Sequence, residues 1–418
     1  MSYILIPIFS DPFLHSLHKD NDLSLLYLRH WGDREGRMIC VNHPDGESEN
    51  IDEIKNDHRF FYVTPDVKKL KHILPDTRLI DVNYLSWKNT NLPVDLENIR
   101  LNAYDFFHSK YYNVKDLNKI IPFSKHKEYC DRVFDVMIKS FSKVCEYEYH
   151  ADVINAFSSI EKNGVKVSDD VCDIFDIRVK KHISDGKLYS QYNLWTTTGR
   201  PSNSFGSVNF AALPPEKRKG FVAENDYLVE FDFDAYHLRL IADLVDYDFG
   251  KDSVHEHLAE HYGCSYEESK QRTFKLLYGG IDKQTREKVP FFDLTHKYIY
   301  KKWNEINTHN LVYTDIYRRK LLSNNYEDLN RNKLFNYLIQ AYETESNIKK
   351  ILSIQNYLLN KKTKLVLYGY DSFLFDFSKQ DGVETLIQIK SILEENKHFT
   401  KSKMGLNYGE MQDITKRL

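Results

Sequence analysis

The amino-acid sequence predicts an α+β fold for this chain of 418 residues. Three stretches carry the prediction. In residues 227–244 an alternating apolar pattern changes to helical spacing, which predicts a strand that leads into a helix. Residues 265–280 carry the start and stop signals of a helix, and residues 365–377 contain two β-rich runs around a turn. Strands and helices are both present without the regular β-α-β repeat of an α/β protein, which favours an α+β fold.

Composition limits the class of protein. The chain is 41% hydrophobic and 28% charged, which is typical of a folded domain in water. It contains no apolar run of membrane-spanning length and no secretion-signal pattern, and its five cysteines are scattered. We therefore expect a cytoplasmic protein without membrane contact. The short, tyrosine- and lysine-rich, glycine-poor chain, with its pared-down architecture, favours a virus and in particular a phage, acting in a host cytoplasm; an organelle is the alternative, and composition does not decide between them.

The charge pattern gives only a weak indication of a partner. The net charge of -3 does not predict a nucleic-acid-binding protein. Short basic clusters do lie among aromatic residues, which form 14% of the chain, and such a mixture suits phosphates and stacked bases. Each cluster on its own is better explained as a solvated face.

The N-terminal region predicts a small domain of strands and one helix. Apolar runs on either side of residues 32–36 predict a hairpin. Strands are predicted over residues 60–63 and 79–82, with a helix over 66–73 between them. The run Asp33-Arg34-Glu35 has the acid spacing of an exonuclease metal site, but its position in a turn between glycines favours a solvated loop.

The middle of the chain predicts two helices and a strand. Residues 125–158 have a helical pattern that ends at Asn163-Gly164, before a short strand. A second helix is predicted over residues 169–181 and a strand over residues 186–195.

The stretch 227–244 places three carboxylates at a strand end. Apolar and acidic residues alternate there, so we expect one buried face and one acidic face. The acids are Glu230, Asp232 and Asp234. Like charges this close are costly unless a cation joins them. A solvated strand edge and a metal site explain this pattern equally well.

The stretch 265–280 predicts a helix with one functional stripe. Ser265 begins it with a capping box, and Gly279-Gly280 supply a left-handed exit. Lys270, Phe274 and Tyr278 are spaced by four residues and share a face. Such a stripe suits a phosphate and a stacked base or sugar, although an aromatic core stripe with a lysine at its edge is the commoner case.

The stretch 365–377 predicts a hairpin with an acidic tip. Its β-rich runs meet at residues 369–372, which would hold the carboxylate of Asp371 in an exposed turn. If this tip packs beside Asp232, the two carboxylates would hold two divalent cations. Such a pair clamps the attacking and leaving oxygens of an in-line phosphoryl displacement.

Four short motifs follow one another along the chain. They are T-x-x-G-R-x-S at 196–202, D-x-x-x-x-x-L-R at 232–239, K-x-x-x-F-x-x-x-Y-G at 270–279 and the acidic hairpin at Asp371. In this order they resemble the polymerase module of family A (Pol I-like) DNA polymerases. Each motif is weak alone, but the ordered set is strong. The resemblance covers roughly residues 150–418 and, more loosely, the remainder.

The resemblance implies a right-hand polymerase fold, with an antiparallel-sheet palm and helical fingers, and a small α/β exonuclease-like N-terminal domain. We expect a degenerate exonuclease-like domain over residues 1–122 and a polymerase domain over 123–418. Within the latter, the expected parts are a palm at about 145–240 and 336–418, fingers at about 245–335 and a reduced thumb at about 168–185.

The short thumb is the largest departure from the family. Only about 30 residues separate Val167 from Thr197, where the family has a long helical thumb. With fewer phosphate contacts, we expect weak primer–template binding and low processivity unless a processivity or replisome partner is present.

The resemblance also implies roles for single residues. Asp232, Asp371 and the carbonyl of Phe233 would bind two Mg²⁺ ions, with Mn²⁺ as an alternative. Lys270 would act in catalysis. The other implied contacts are Arg218 and Lys270 on the triphosphate of the incoming dNTP, Phe274 and His237 at its sugar, Tyr278 near the templating position, and Arg200, Asn209, Gln340 and Tyr370 on primer–template DNA.

Several positions depart from the family pattern. His237 stands where a glutamate usually excludes the 2′-hydroxyl. Tyr266 stands where an arginine is usual, so its charge is lost or comes from elsewhere, with Arg272 as a candidate. The hairpin reads Tyr370-Asp371-Ser372 where His-Asp-Glu is usual. Candidates to replace the lost carboxylate are Asp376 and Glu230.

The sequence therefore predicts a template-directed DNA polymerase that extends a primer 3′ end by two-metal phosphoryl transfer, without proofreading. Two alternatives stay open. The altered hairpin tip suggests a primer–template-binding protein with weak or no catalysis. Single-subunit RNA polymerases and reverse transcriptases share parts of the layout.

Overall fold

The protein is represented by a computed structural model, which describes residues 2–9, 26–30, 38–42, 48–49, 60–64, 67–71, 74, 77–81, 84, 87, 145–169, 183–203, 208–250 and 253–418. The chain divides into two units, Met1–Ser158 and Ser159–Leu418. The Asp33-Arg34-Glu35 motif, the body of the helix predicted at 169–181 and most of the predicted thumb lie outside the described residues. In the described part of the chain, no helix has the length and apolar character needed to cross a membrane.

The first unit contains a six-stranded sheet with the order β4-β3-β2-β1-β5-β6. Its strands are β1 (Ser2–Phe9), β2 (Leu26–His30), β3 (Met38–Asn42), β4 (Ser48–Glu49), β5 (Phe60–Thr64) and β6 (Leu79–Asp81). The antiparallel pairing of β2 with β3 confirms the predicted hairpin. Strands β5 and β6 are joined through α1 (Val67–Lys71), as the sequence predicts, and they pair in parallel.

Helix α2 (Cys145–Asn163) follows this sheet in the chain. Within the first unit, Nε2 of His150 accepts a hydrogen bond of 3.0 Å from the backbone N–H of Asp81. The Ser158 hydroxyl donates to the carbonyl of Lys68 at 2.8 Å. The helix ends as predicted, because Gly164 has φ of 62°, a conformation that favours glycine.

The second unit is built on a five-stranded antiparallel sheet with the order β15-β16-β12-β17-β18. Its strands are β12 (Tyr227–Phe233), β15 (Lys364–Tyr368), β16 (Ser372–Phe377), β17 (Thr400–Asn407) and β18 (Glu410–Asp413). Strand β12 is central, and both of its faces are covered. The prediction of one buried face is therefore wrong, because Leu228 and Glu230 on the acidic side are 0% and 6% exposed.

Eight α-helices are described in the second unit after α2, besides short 3-10 turns. They are α3 (Pro215–Arg218), α4 (Tyr236–Leu244), α5 (Val254–Tyr262), α6 (Tyr266–Gly279), α7 (Lys283–Lys288), α8 (Pro290–His309), α9 (Arg331–Tyr357) and α10 (Val383–Leu393). A core formed by Leu258, Leu277, Phe291, Phe292 and Phe335 holds α5, α6, α8 and α9 together. The cavity described below lies beside this core.

Helix α6 begins as the sequence predicts and ends differently. The capping box between Ser265 and Glu268 is formed in both directions. Gly280 has a positive φ of 111°, as the predicted glycine exit requires, but its ψ of 139° lies outside the αL conformation. This is an extended conformation open to glycine, so the chain leaves the helix without the left-handed turn.

The short strands around residue 190 correct a further prediction. The predicted single strand over 186–195 is two strands, β9 (Lys187–Leu188) and β10 (Tyr192–Asn193). Strand β9 pairs with the strand at Val165–Lys166, whereas Tyr192 pairs with Asn203 and its backbone N–H donates to the Glu161 carboxylate at 2.6 Å. The remaining short strands are β7 (Val165–Lys166), β8 (Ile183–Ser184), β11 (Ser202–Asn203), β13 (Leu311–Tyr313) and β14 (Lys320–Leu322).

Candidate active site

The candidate site forms where β12 turns into α4. Ala235 takes φ of 50° and ψ of 43°, a left-handed conformation that costs a residue with a Cβ roughly 1–2 kcal/mol. The backbone N–H of Asp234 donates to the carbonyl of Phe399 at 2.8 Å and fixes the turn from the side. This tight junction places the end of β12 and the start of α4 around one cavity.

The acidic hairpin meets this strand end. In the ladder between β12 and β16, Asp232 pairs with Ser372, and the backbone N–H of Phe233 donates to the carbonyl of Asp371 at 2.8 Å. The tip bends at Tyr370, whose φ is 72° and whose carbonyl accepts from the Asn347 amide at 2.9 Å. The structure thus brings Asp232 and Asp371 together, which the sequence could state only as a condition.

Burial, together with neighbouring carboxylates, raises the pKa of both carboxyls. Burial, followed by the nearby carboxylates of Asp371 and Glu230, raises the pKa of Asp232 to about 6. Burial and the carboxylate of Glu343 raise the pKa of Asp371. Two partly buried acids at a strand end, each with a further carboxylate that disfavours its charge, form an environment that a divalent cation would stabilise.

The donor set fits Mg²⁺ in one specific way. Mg²⁺ commonly takes one or two protein carboxylates and completes its shell with water and substrate phosphates. Asp232 and Asp371 provide those carboxylates. Phe233, whose carbonyl is the third predicted ligand, directly follows Asp232 at the end of β12. Across the described ranges no group of three His, Cys, Asp or Glu side chains is placed to hold a metal. Two carboxylates that line a cavity suit a metal that shares its coordination shell with a phosphate.

The carboxylates open into a cavity of about 410 Å³. Of the residues predicted from the sequence, it is lined by Arg200, Asp232, Phe233, His237, Lys270, Phe274 and Asp371. Phe274 is 44% exposed, so its ring presents a face to the cavity instead of joining the core. The commoner explanation of the α6 stripe, an aromatic core stripe, therefore does not hold for this residue.

Glu343 is a cavity residue that the sequence reasoning did not select. Its side chain is 1% exposed, and its carboxylate lies 2.8 Å from Nε of Arg200 and 3.4 Å from Nε2 of His237. The guanidinium of Arg200 also stacks on the ring of Tyr370 at 4.0 Å. Glu343 therefore fixes two predicted site residues. Its neighbours on the same face of α9 are mostly polar, among them Gln340, Ser346 and Asn347, so the local pattern gave no signal that would single it out.

His255 and Lys401 also line the cavity and were missed. His255, at the start of α5, is 4% exposed, and its Nδ1 has no hydrogen-bond partner among the described residues. Burial and the charges of Lys270 and Lys401 lower the pKa of His255. Nζ of Lys401 lies 2.7 Å from Oδ1 of Asp234. A histidine on an amphipathic helix and a lysine on a strand gave no sequence signal of their own.

Several predicted site residues lie outside the cavity lining. Nε of Arg218 donates to the carbonyl of Leu213 at 3.0 Å, and its guanidinium stacks on Tyr408 at 4.9 Å. The Tyr408 hydroxyl donates to Glu230 at 2.9 Å. Arg218 is thus linked to the acidic face of β12 at Glu230, two residues before Asp232.

The predicted DNA contacts form local hydrogen bonds. The side chain of Asn209 caps the short helix Phe210–Ala212. The Gln340 side chain accepts a hydrogen bond of 3.1 Å from the hydroxyl of Thr198, in the T-x-x-G-R-x-S segment. Both residues therefore support the loops next to Arg200. The side chain of Tyr278 lies outside the described part of the chain.

Two of the three residues suggested as substitutes, Arg272 and Asp376, lie elsewhere. Arg272 stacks on the ring of Tyr262 at 4.4 Å and does not line the cavity. Asp376 lies four residues into β16 from Ser372 and accepts the backbone N–H groups of Glu224 and Asn225 at 2.9 and 3.0 Å. Asp376 therefore stabilises a loop at the far end of the strand. Glu230 is the nearer acid.

Comparison with solved structures identifies the class of fold. The chain is similar to the polymerase domain of Pol1 from M. smegmatis, solved in complex with DNA primer-template and dNTP. The TM-score is 0.64 with 12% sequence identity, and the similarity covers 92% of each chain. No family model and no curated protein matches the sequence. The chain therefore has an α+β fold of the polymerase-domain type, as the sequence predicts at this level.

Proposed function

We propose that this protein is a template-directed DNA polymerase of the family A type, which adds deoxynucleotides to a primer 3′ end. One observation carries the proposal. Asp232 and Asp371 lie together at the end of the central strand, with raised pKa values, inside a cavity also lined by Lys270 and Phe274. This combination matches the need of phosphoryl transfer for charge stabilisation and substrate positioning.

The proposed metal ligands are Asp232, Asp371 and the carbonyl of Phe233. When bound there, two Mg²⁺ ions would stabilise the charge on the attacking and leaving oxygens, and Mn²⁺ is an alternative. The protein's own contribution is to hold the ligands in place, which it does through the β12–β16 ladder and the Asn347–Tyr370 hydrogen bond. A preorganised site of this kind needs little rearrangement during the reaction.

The other cavity residues have distinct proposed roles. Lys270 would neutralise charge on the triphosphate, and the exposed ring of Phe274 would lie against the sugar of the nucleotide. Arg200 would contact the primer–template, oriented by Glu343 and Tyr370. His237 would face the 2′ position of the sugar. Arg218, Tyr278, Asn209, Gln340 and Tyr370 keep the roles that the resemblance implies, as part of the proposal.

The domain assignment is also part of the proposal. Residues 1–122 would form a degenerate exonuclease-like domain without proofreading, and the reduced thumb at about 168–185 would limit processivity. The parallel β5–α1–β6 unit agrees with an α/β domain in the first unit.

Primer extension tests the proposed function directly. We expect the wild type to extend a DNA primer on a DNA template with dNTPs in Mg²⁺, and EDTA to stop the reaction. Excess unlabelled DNA added as a trap should limit products to a few nucleotides, because few phosphate contacts hold the duplex. Binding of primer–template without extension would support the non-catalytic alternative. Faster use of rNTPs than dNTPs, or of an RNA template, would support an RNA polymerase or a reverse transcriptase.

The sugar gate gives a second prediction. His237→Glu would place a second carboxylate against the buried Glu343, whose distance from His237 Nε2 is now 3.4 Å. Like-charge repulsion should therefore lower activity in the single variant. The double variant His237→Glu with Glu343→Gln removes that repulsion, and we expect it to raise the preference for dNTP over rNTP by roughly tenfold.

Competition between matched dNTP and rNTP in extension assays measures this preference. The Glu343→Gln single variant is the control, because it removes the acid without changing residue 237. An unchanged dNTP preference in the double variant would argue that His237 does not face the sugar.

A further inference from the structure

Lys401 lies at one end of the candidate nucleotide cavity. In the ladder between β12 and β17, Lys401 pairs with Asp232, and its side chain lines the cavity. Its Nζ is held 2.7 Å from Oδ1 of Asp234. An ammonium group has three hydrogen-bond donors, so contact with one carboxylate oxygen leaves donors for another anion. Asp234 thus positions this cation at the edge of the metal site.

The basic side chains that line the cavity differ in how many contacts they make with neighbouring residues. They are Arg200, Lys270 and Lys401. Arg200 forms an ion pair with Glu343 at 2.8 Å, and its guanidinium stacks on the ring of Tyr370 at 4.0 Å. Lys401 is 56% exposed and is held through Asp234 alone among its described ion pairs. A polyphosphate that entered the cavity would therefore meet Lys270 from α6 and Lys401 from β17.

His255 lies close enough to both lysines for their charges to affect its pKa. Both lower the pKa of His255, after the larger effect of burial. The ring of His255 lies 5.6 Å from that of Tyr266, and Tyr266 also lines the cavity. Lys270, Lys401, His255 and Tyr266 therefore surround one end of it. Tyr266 is the position where the resemblance expects an arginine, so a cation is missing from α6 and present on the facing strand.

We propose that Lys401, together with Lys270, binds the polyphosphate of an incoming nucleoside triphosphate and so replaces the arginine absent at Tyr266. The inference rests on the proposed polymerase function for the identity of the ligand. Asp234 is then a positioning residue, because it acts through Lys401. The second cation of the site would then lie on the sheet and not on α6. The ladder with β12 fixes the Cα of Lys401 relative to the proposed metal ligand Asp232.

Lys401→Met tests the role of the charge with little change in size. We expect the KM for dNTP in primer extension to rise roughly 10- to 100-fold, the range for loss of a charged hydrogen bond. Lys401→Arg keeps the charge and should recover most of the affinity. Thermal unfolding should change little in either variant, because the side chain is more than half exposed.

Lys403→Met is the matched control. Lys403 is on the same strand and face, lies 3.7 Å from Glu230, and lowers the pKa of Asp232 as Lys401 does. It does not line the cavity. Any effect of lost positive charge on the carboxylates should appear in both variants. A rise in KM confined to Lys401→Met would identify contact with the nucleotide.

A binding measurement without turnover separates this inference from the proposed function. dTTP and thymidine are titrated into wild type and Lys401→Met in a chelator, with intrinsic fluorescence as the readout. We expect the variant to lose affinity for dTTP and to keep its affinity for thymidine. Equal dTTP binding by both proteins would overturn the role of Lys401, even if the wild type extends primers. A wild type that binds dTTP without extending primers would instead overturn the polymerase function, and Lys401 would still be tested.

Discussion

Asp232→Asn is expected to abolish primer extension and to stabilise the metal-free protein. The carboxylate is a proposed metal ligand, and metal-ion stabilisation of phosphoryl transfer contributes several kcal/mol. Its loss should therefore lower the extension rate by roughly 10³-fold or more. The matched control is Asp376→Asn, a carboxylate at the far end of the same sheet that binds two backbone N–H groups. Extension by Asp232→Asn within tenfold of the wild-type rate would contradict the assignment.

The stability gain follows from the direction of the pKa shift. Burial and neighbouring carboxylates raise the pKa of Asp232 from its ordinary 3.8 to about 6 in the folded protein. Between these two values the folded protein holds a proton that the unfolded chain has lost. Stability of the metal-free protein contributed by this group therefore falls as the pH rises from about 4 to 6, and the penalty is complete above pH 6.

Asparagine removes this penalty because it carries no charge at neutral pH. After allowance for solvent screening of a partly exposed group, the gain is on the order of 1 kcal/mol. Urea unfolding in EDTA at pH 7.5 and at pH 4 measures it, and the difference between variant and wild type should shrink at the lower pH. Burial raises the pKa of Asp376 too, but its carboxylate accepts two backbone N–H groups, and the asparagine amide can accept fewer of them, so Asp376→Asn should gain less stability than Asp232→Asn. A destabilised Asp232→Asn protein would contradict the crowding of carboxylates.

The same shift predicts a pH dependence of activity. Metal binding needs the ionised carboxylate, so primer extension should fall as the pH drops through about 6.

Among the substitutions proposed for this protein, Glu345→Ala is expected to lower the free energy of unfolding the most. Glu345 is 0% exposed and pairs with Nε of Arg319 at 2.7 Å. Its other carboxylate oxygen accepts the backbone N–H groups of Ile316 and Tyr317. Removing one partner of a buried pair leaves the other charge without compensation, which costs about 3–5 kcal/mol.

The effect should extend to the candidate site. Arg319 also donates to the carbonyl of Thr198 at 3.0 Å, next to the glycine–arginine pair of the T-x-x-G-R-x-S segment. Loss of Glu345 should therefore loosen the segment that carries Arg200, and primer–template binding should weaken together with stability. Glu345→Gln, which keeps a hydrogen-bonding oxygen, should cost less and remain folded for this comparison.

Urea unfolding of the variants measures the loss. The matched control is Glu287→Ala, which breaks an exposed pair with Lys283 whose side chains are 65% and 82% exposed. Exposed pairs contribute about 0–1 kcal/mol, so this control should change stability little. Similar unfolding midpoints for Glu345→Ala and Glu287→Ala would show that the Arg319 contacts do not hold the fold together.

Local signals in the sequence were enough for most individual elements. The change of period near Ala235, the capping box at Ser265 and the turn before Ser372 each depend on residues within a few positions of one another. Backbone preference and apolar spacing act at this range, so these elements could be predicted. The exit of α6 at Gly280 could not be specified, because glycine permits several conformations and the following chain selects one.

The apolar and acidic alternation of β12 does not reveal that its acidic face is also buried by other parts of the chain. Glu230 occupies an acidic position of the alternation, yet Tyr408, 178 residues away, donates to it at 2.9 Å and excludes water. Likewise, Glu343 has no local mark of function. Its role arises because α9 passes beside the segment of Arg200 and the start of α4, where His237 lies.

The sequence by itself determined the α+β class, the positions of the acidic strand end and the acidic hairpin, and the cation and ring on α6. These are short-range patterns, and their order along the chain carries the polymerase resemblance. Only the tertiary structure decided that Asp232 and Asp371 meet, that Glu343 holds Arg200 and His237, and that Lys401 rather than Arg272 reaches the cavity. The physical reason is that strand register and helix packing join residues more than one hundred positions apart, and no local spacing encodes those distances.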